Sequence, residues 1–155
     1  MGKFRFETLL KLREATQDEK KNAFLDAEKR RKKASEELAA LDQEIFRERE
    51  TSRQARENVV ISNEELRFSQ ERRIRLSLER KQTQERLEEL TEEAENKRLE
   101  LDTAIREVKI LQNLKDKAEE RETEEAKRLE TKTLDELAAR QKTHERRQKE
   151  DEEES

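Results

Sequence analysis

The sequence contains no proline, cysteine, tryptophan or tyrosine, and its only glycine is Gly2. Proline and glycine are the residues that most often interrupt regular structure, so nothing in the composition breaks a helix from about residue 3 onward. The absence of cysteine excludes disulfide bonds and thiolate metal sites, although it leaves the cellular compartment open. A glycine-rich phosphate-binding loop is excluded as well, because the chain has no run of glycines to form one.

Apolar residues are also scarce: 29% of residues are hydrophobic and 3% are aromatic, whereas 50% are charged. A compact domain of this length buries most of its unfolded surface, and this chain has too few apolar side chains to do so. Low hydrophobicity with high charge is one signature of disorder. Abundant Glu, Lys, Arg, Leu and Ala with a regular apolar spacing instead indicate a coiled coil or long helix, which is the interpretation that we favour.

No apolar segment approaches the roughly 20 residues that a membrane-spanning helix requires. Charged residues recur every few positions from Lys3 onward, which excludes the apolar core of a signal peptide. Phe6 occupies the position where an N-myristoylation signal has Ser or Thr. We therefore expect a cytoplasmic protein without direct membrane insertion.

Charges of both signs are mixed along the chain, with 37 basic and 41 acidic residues and a net charge of −4. Nucleic-acid binding requires basic residues concentrated on one face. The densest basic run, residues 29–33, points around the whole circumference of a helix. We therefore expect no nucleic-acid partner, and a nucleic-acid-binding rod is kept only as a rival hypothesis.

A heptad pattern of apolar residues runs through the first third of the chain and is typical of a coiled-coil seam. It predicts a first helix over about residues 4–58, with a looser section at 13–20, where the seam positions are polar. The predicted seam positions are Phe6, Leu10, Arg13, Gln17, Lys20, Phe24, Ala27, Arg31, Ala34, Leu38, Leu41, Ile45, Glu48, Ser52, Ala55 and Val59.

A helix start is encoded in mid-chain, where Ser62 is followed three residues later by Glu65. This spacing is a capping box, in which the serine hydroxyl and the glutamate carboxylate satisfy amide groups of the first helical turn. Ile61, just before the cap, is placed to pack on Leu66. The pattern predicts a turn at about residues 58–62 and a second helix from about 63. A single unbroken helix through Ser62 is the alternative.

The second helix is predicted over about residues 63–147, followed by an acidic tail at 148–155. If the chain reverses near Ile61, Leu38 and Leu41 lie opposite residues 83–87, and Phe24 lies opposite Leu99 or Leu101. The predicted seam positions are Leu87, Leu90, Ala94, Lys97, Leu101, Ala104, Val108, Leu111, Lys115 and Ala118.

The expected fold class is all-α: a long antiparallel two-helix coiled-coil hairpin in a single domain. The apolar cluster of the second helix then faces the apolar N-terminus, and the C-terminal helix overhangs that N-terminus. The facing residues are Ile105, Val108, Ile110, Leu111 and Leu114 on one side, and Phe6, Leu9, Leu10 and Leu12 on the other.

Catalytic sites require convergent groups in a pocket that excludes water, and a helix pair offers no such concavity. His144 is the only histidine, so a histidine-based metal site is not expected. Carboxylates on an exposed helix are solvated and lack the burial that shifts a pKa for acid–base catalysis. We therefore expect no enzyme activity and no cofactor.

Apolar residues in excess of one seam occur in three places and indicate partner-binding surfaces. The first is the hairpin apex, which packing of the hairpin tip explains equally well. The second is the N-terminus and the third is the overhanging segment at 129–139, which has the spacing of a helix that lies in a groove. The apical residues are Val59, Val60, Ile61, Leu66, Phe68, Ile74, Leu76 and Leu78; the N-terminal residues are Phe4, Phe6, Leu9, Leu10 and Leu12.

Three short stretches resemble the flagellar FliJ proteins. The opening KFRFETLLKLRE at residues 3–14 resembles the start of that family. The sequence VISN at 60–63 is similar to its turn region, and LDELAAR at 134–140 is similar to its C-terminal signature. The resemblance extends over essentially the whole chain.

The resemblance implies a non-catalytic coiled-coil stalk of the flagellar type III export apparatus. Its terminal region is expected to insert in the hexameric export ATPase ring, and its hairpin apex to contact the membrane export gate protein. The implied ring-binding residues are Phe4, Phe6, Leu9, Leu10, Leu134, Leu137 and Arg140. The implied gate-binding residues are Phe68, Ile74, Leu76 and Leu78.

The resemblance places the chain in the cytoplasm, peripheral to the inner membrane at the flagellar base. Two alternative functions remain: a generic structural coiled coil or homodimeric rod, and the equivalent stalk of a virulence type III secretion system. The sequence leaves open whether the chain also carries export chaperones.

Overall fold

A computed structural model describes residues 4–58 and 62–154, apart from the side chain of Asn58. It contains two α-helices, α1 at Glu7–Asn58 and α2 at Asn63–Glu154, and no strand in the described part of the chain. The predicted all-α class and two-helix hairpin are therefore confirmed. The predicted turn at 58–62 lies mostly outside the described residues, and so do Val59, Val60 and Ile61.

The first helix begins at Glu7, three residues later than the sequence predicted. Phe4 and Phe6 make an edge-to-face contact with ring centroids 5.9 Å apart, and the Arg5 guanidinium lies over the Phe6 ring. Residues two apart do not face each other on an α-helix, so this aromatic contact is incompatible with helix at Phe4–Phe6. The amide of Glu7 donates to the carbonyl of Phe4, which begins the first helical turn.

The second helix begins where the capping residue predicted it. The hydroxyl of Ser62 accepts a hydrogen bond from the amide of Glu65 at 3.3 Å, and the Ser62 carbonyl accepts from the amide of Leu66. Serine is among the preferred N-cap residues because its side chain satisfies an amide that has no partner within the helix. This contact confirms the mid-chain helix start and excludes an unbroken helix through Ser62.

The second helix ends at Glu154, so the predicted boundary near residue 147 is wrong. The expected acidic tail at 148–155 is helical throughout its described part, and Ser155 lies outside the described residues. Gln, Lys and Glu are strong helix formers and the segment contains neither proline nor glycine. Its local preference therefore continues the helix even without a packing partner.

Residue contacts divide the chain into two compact units. One unit is Leu12–Glu107, and the other contains the described residues of Met1–Lys11 and Val108–Ser155. Each unit includes parts of both helices. The expectation of a single coiled-coil domain stays a prediction.

Within Leu12–Glu107, ion pairs between the two helices establish an antiparallel arrangement. As the α1 residue number rises, the number of its α2 partner falls, which is the order that a reversal of the chain requires. The inter-helix pairs are Arg13–Glu107, Lys20–Glu100, Arg30–Glu93, Glu37–Arg86, Asp42–Arg80 and Glu48–Arg72. Leu38 and Leu41 lie between the levels of Glu37–Arg86 and Asp42–Arg80, and Leu41 lines a groove with Thr83, as predicted.

The predicted seam is confirmed over nearly all of its length. In this unit every predicted α1 position from Arg13 to Ser52 is buried or half-buried, whereas Ala55 is exposed, against the prediction, and Val59 lies outside the described residues. The α2 seam begins earlier than the sequence indicated, because Ser69, Arg73, Leu76, Arg80 and Thr83 are also buried or half-buried. Of the two residues expected opposite Phe24, Leu101 is in the seam and Leu99 is exposed.

Alanines occupy the most buried seam positions, with Ala27 at 1% exposure and Ala34 and Ala94 at 2%. Small side chains allow two helices to approach closely, but each buries little apolar area at about 25 cal/mol per Å². Most of the flanking ion pairs are exposed, and exposed pairs contribute about 0.2–1 kcal/mol each. We infer that stability is spread over many small contacts, while the ion pairs specify which levels of the helices meet.

One inter-helix pair also perturbs a titration. The hydrogen bond from Lys20, and the charges of Lys20 and Lys97, hold the pKa of Glu100 below its ordinary value. A carboxyl whose pKa is lowered by folding stabilises the fold above its unfolded-state pKa, and this contribution is lost as the pH falls through the folded-state value. Because Glu100 is exposed, solvent screening keeps the contribution small.

Two leucines that lie two residues apart, on opposite faces of α2, provide a matched test of the seam. Leu76 is 3% exposed and Leu78 is 55% exposed. We expect Leu76→Ala to cost about 2–5 kcal/mol of unfolding free energy, since it removes buried methyl groups and leaves a cavity. Leu78→Ala should change it by no more than about 0.5 kcal/mol. Urea unfolding followed by circular dichroism measures both, and equal losses for the two variants would contradict this assignment of the seam.

Candidate partner-binding surfaces

A small core holds together the unit formed by the described residues of Met1–Lys11 and Val108–Ser155. Leu10 packs in a buried cluster with Val108 and Leu111. The Glu7 carboxylate pairs with the Lys115 ammonium at 3.1 Å. Leu10 was expected to bind a partner, but its side chain is only 3% exposed. It therefore supports the surface around it and is not itself available for contact.

The other apolar residues near this core remain accessible. Of the N-terminal candidates, Phe6 and Leu9 are exposed and Phe4 is half-buried. On α2, Ile110 and Leu114 are exposed as well. The sequence predicted that Phe6 and Leu9 would face the cluster that includes Ile110 and Leu114. The buried cluster instead consists of Leu10, Val108 and Leu111. The remainder form an N-terminal surface, defined as Phe4, Phe6, Leu9, Ile110 and Leu114.

The last part of α2 forms a C-terminal leg, defined as residues 119–154. Every residue of this leg is exposed, including Leu129 at 61%, Leu134 at 59% and Leu137 at 53%. The leg begins just after the level at which Lys115 pairs with Glu7, the first residue of α1. The predicted overhang is therefore present in this unit, and it carries three exposed leucines and Arg140.

The two sets of ring-binding candidates are not adjacent. Glu7, next to the N-terminal surface, is level with Lys115 on α2. Leu134 lies 19 residues further along the same helix, which is roughly 28 Å at 1.5 Å per residue. The structure therefore separates Phe4, Phe6 and Leu9 from Leu134, Leu137 and Arg140. They do not form one compact site, and a partner that contacts both must extend along the helix.

In the Leu12–Glu107 unit, three exposed apolar side chains line one open groove. They are Phe46 on α1 and Ile74 and Leu78 on α2, each more than half exposed. Leu76 lies on the same groove, but it is buried in the seam and serves packing. We name Phe46, Phe68, Ile74 and Leu78 the apical surface. Phe46 was not among the residues predicted from the sequence. An aromatic residue directly after the seam position Ile45 was the feature that could have indicated it.

Phe68 lies on a second groove, above a polar section of the seam. The Ser52 and Ser69 hydroxyl oxygens are 3.0 Å apart, and Ser69 donates to the Glu48 carboxylate at 3.3 Å. Arg72 donates to the other oxygen of that carboxylate at 3.1 Å. Glu48 therefore has partners although its side chain is only 11% exposed. The network fills this section with polar contacts and leaves Phe68 exposed.

Neither a metal site nor a membrane span occurs in the described residues. No group of three or more His, Cys, Asp or Glu residues is arranged to hold a metal ion within residues 4–58 and 62–154. In the same ranges, neither helix has a segment that is long and apolar enough to cross a membrane. What the described surface offers is exposed apolar side chains on long helices, which is chemistry for binding other proteins.

Comparison with known families gives this surface a context. The family model of the flagellar FliJ protein matches residues 2–149, nearly the whole chain. The chain belongs to the flagellar FliJ family. Membership makes it a flagellar export-related component and confirms the resemblance that its three short stretches indicated. No curated protein and no solved structure gives a significant match.

The match includes every residue of the N-terminal surface, the apical surface and the candidate positions on the C-terminal leg. It stops at residue 149, before the acidic end of the leg. All the candidate residues therefore lie within the part of this chain that is characteristic of the FliJ family.

The absence of cysteine allows the apical surface to be tested by single-cysteine variants. We expect the thiols of Phe46→Cys and Ile74→Cys to react with a maleimide at least about tenfold faster than that of Leu76→Cys. The buried thiol must wait for local opening of the helix pair. Mass spectrometry over time measures the rates. Equal rates at Ile74→Cys and Leu76→Cys would show that Ile74 is not at the surface.

Proposed function

We propose that this FliJ-family chain is the non-catalytic stalk of the flagellar type III protein export apparatus. In this proposal the C-terminal leg inserts in the hexameric export ATPase ring, with the N-terminal surface at its entrance. The apical surface contacts the membrane export gate protein. The chain then acts in the cytoplasm, peripheral to the inner membrane at the flagellar base.

The observation that carries the proposal is the C-terminal leg itself. It is a continuous helix whose leucines are exposed in the unit to which it belongs. A helix that binds in a groove contacts it through apolar side chains spaced three or four residues apart. Leu134, Leu137 and Ala138 have that spacing, and Arg140 follows them as a charged contact. On a member of an export-related family, such a leg is suited to a protein channel.

The apical surface supports the second contact. Ile74 and Leu78 are four residues apart, so they lie on one face of α2, and Phe46 lines the same groove from α1. Aromatic and aliphatic side chains that are exposed together are typical anchors of protein interfaces. Leu76 and Leu10 are assigned supporting roles, since both are buried beside the surfaces that they were expected to form.

The proposal predicts that two variants lose different functions. We expect Leu134→Asp with Leu137→Asp to abolish stimulation of the purified export ATPase, because carboxylates replace its apolar contacts. Helicity should be nearly unchanged, since both side chains are exposed. The variant should still bind the cytoplasmic part of the gate protein. Phosphate release with and without the chain measures the first effect, and a pull-down measures the second.

Two controls make this experiment specific. Ala139→Asp with Thr143→Asp adds the same number of carboxylates on the other side of the leg and should leave ATPase stimulation intact. Phe68→Ala with Ile74→Ala should retain stimulation and lose gate binding. If the leucine variant stimulates the ATPase as well as the native chain does, the leg is not the ring-binding element.

A further inference from the structure

Charge is segregated along the C-terminal leg. Residues 119–130 contain six acidic and three basic side chains, whereas residues 140–149 contain five basic and one acidic. Leu134 and Leu137 lie between these two segments. The leg therefore has an acidic segment and a basic segment on either side of an apolar centre, a second acidic segment follows at 150–154, and every residue of the leg is exposed.

Several of these charges flank the same stripe as the leucines. Successive residues of an α-helix are rotated by about 100°. Viewed down the axis, Leu129, Leu134 and Leu137 each lie within roughly 80° of the mean direction of the three. Ala126, Thr133 and His144 fall inside this stripe. Between residues 122 and 148, four charged residues also lie on it or at its edge: Glu122, Glu130, Arg140 and Arg147. A helix packed on the leucines thus meets acidic groups at one end of the stripe and basic groups at the other.

The charges of one leg are complementary to those of a second, identical leg that runs in the opposite direction. A two-fold axis near Asp135 places Glu130 opposite Arg140, and Glu122 opposite Arg147, of an antiparallel second leg. Symmetry makes each of these contacts twice, as in any interface that uses the same patch on both subunits. A parallel pair instead opposes Glu122 to Glu122 and Arg147 to Arg147, and like charges across a helix interface are destabilising.

We propose that the C-terminal leg pairs, antiparallel and with two-fold symmetry, with the leg of a second copy of this chain. The pairing buries Leu129, Leu134 and Leu137 of both copies and is limited to about residues 122–148. Beyond that length, the acidic residues at the end of one leg face Glu119 and Glu120 of the other copy, so the charges are no longer complementary. The inference goes beyond the proposed function and stands without it. It makes self-association and insertion in the ATPase ring mutually exclusive uses of one surface.

Sedimentation equilibrium of the full chain tests the pairing. We expect the native chain to reach twice the mass of one chain, and the dimer to weaken as salt is raised, because the ion pairs are exposed. Arg140→Glu with Arg147→Glu makes the whole stripe acidic, and Glu122→Arg with Glu130→Arg makes it basic. Each variant alone should have the mass of a single chain, and an equal mixture of the two should restore the doubled mass.

Cross-linking tests the orientation, since every thiol must be introduced. Ala126→Cys and His144→Cys face each other across the proposed axis. Oxidation of the mixed variants should give a hetero-disulfide, and neither variant alone should form a disulfide with itself. The proposal is overturned by a single-chain mass for the native protein at all concentrations up to about 1 mM. It is equally overturned if the charge-reversed variants dimerise like the native chain, or if Ala126→Cys or His144→Cys cross-links with itself. Circular dichroism checks that each variant remains helical.

Discussion

The antiparallel seam between α1 and α2 is the contact on which the other features depend. Its most buried side chains are alanines such as Ala27 and Ala94, which let the helices approach closely, while many of the larger seam side chains are half-buried. Inter-helix ion pairs such as Lys20–Glu100 specify the level at which the helices meet. Because Glu7, at the start of α1, is level with Lys115, the C-terminal leg lies beyond the level at which α1 begins.

The seam also decides which apolar residues are available to partners. A two-helix seam uses about two positions in each heptad, so any additional apolar residue stays in solvent. Leu76 and Leu78 illustrate this, since one is buried and the other is exposed although they are the same residue type in one short stretch. Apart from the half-buried Phe4, the proposed partner contacts are residues of the second kind. Binding surfaces and core therefore alternate along the same helices, and substitutions at the surface residues should affect binding with little effect on folding.

Much of this arrangement could be predicted from the sequence. The spacing of Phe24, Ala27, Ala34 and Leu38 indicated the α1 seam, and Ser62 with Glu65 indicated the start of α2. The overhang followed from the unequal helix lengths. The end of α2 could not be placed, because Glu and Lys at 148–154 favour helix whether or not anything packs against them. The heptad spacing placed Leu10 in the seam, although the N-terminal excess of apolar residues also made it a partner-binding candidate. Leu76 was expected to contact a partner but is buried, because composition does not distinguish a seam leucine from its exposed neighbour; the difference lies in a rotation about the helix. Phe46 was missed for the same reason.

The most direct test of the antiparallel seam is an electron–electron distance between spin labels at Ala40→Cys and Gln82→Cys. Both positions are exposed and lie between the levels of the Glu37–Arg86 and Asp42–Arg80 pairs. Labelled chains diluted in unlabelled protein report only distances within one chain. Helix axes that pack about 8–10 Å apart predict a narrow distribution at short distance, about 25 Å or less with the label arms included. A distribution centred near 60 Å, roughly the length of an uninterrupted helix between the two positions, would contradict the hairpin.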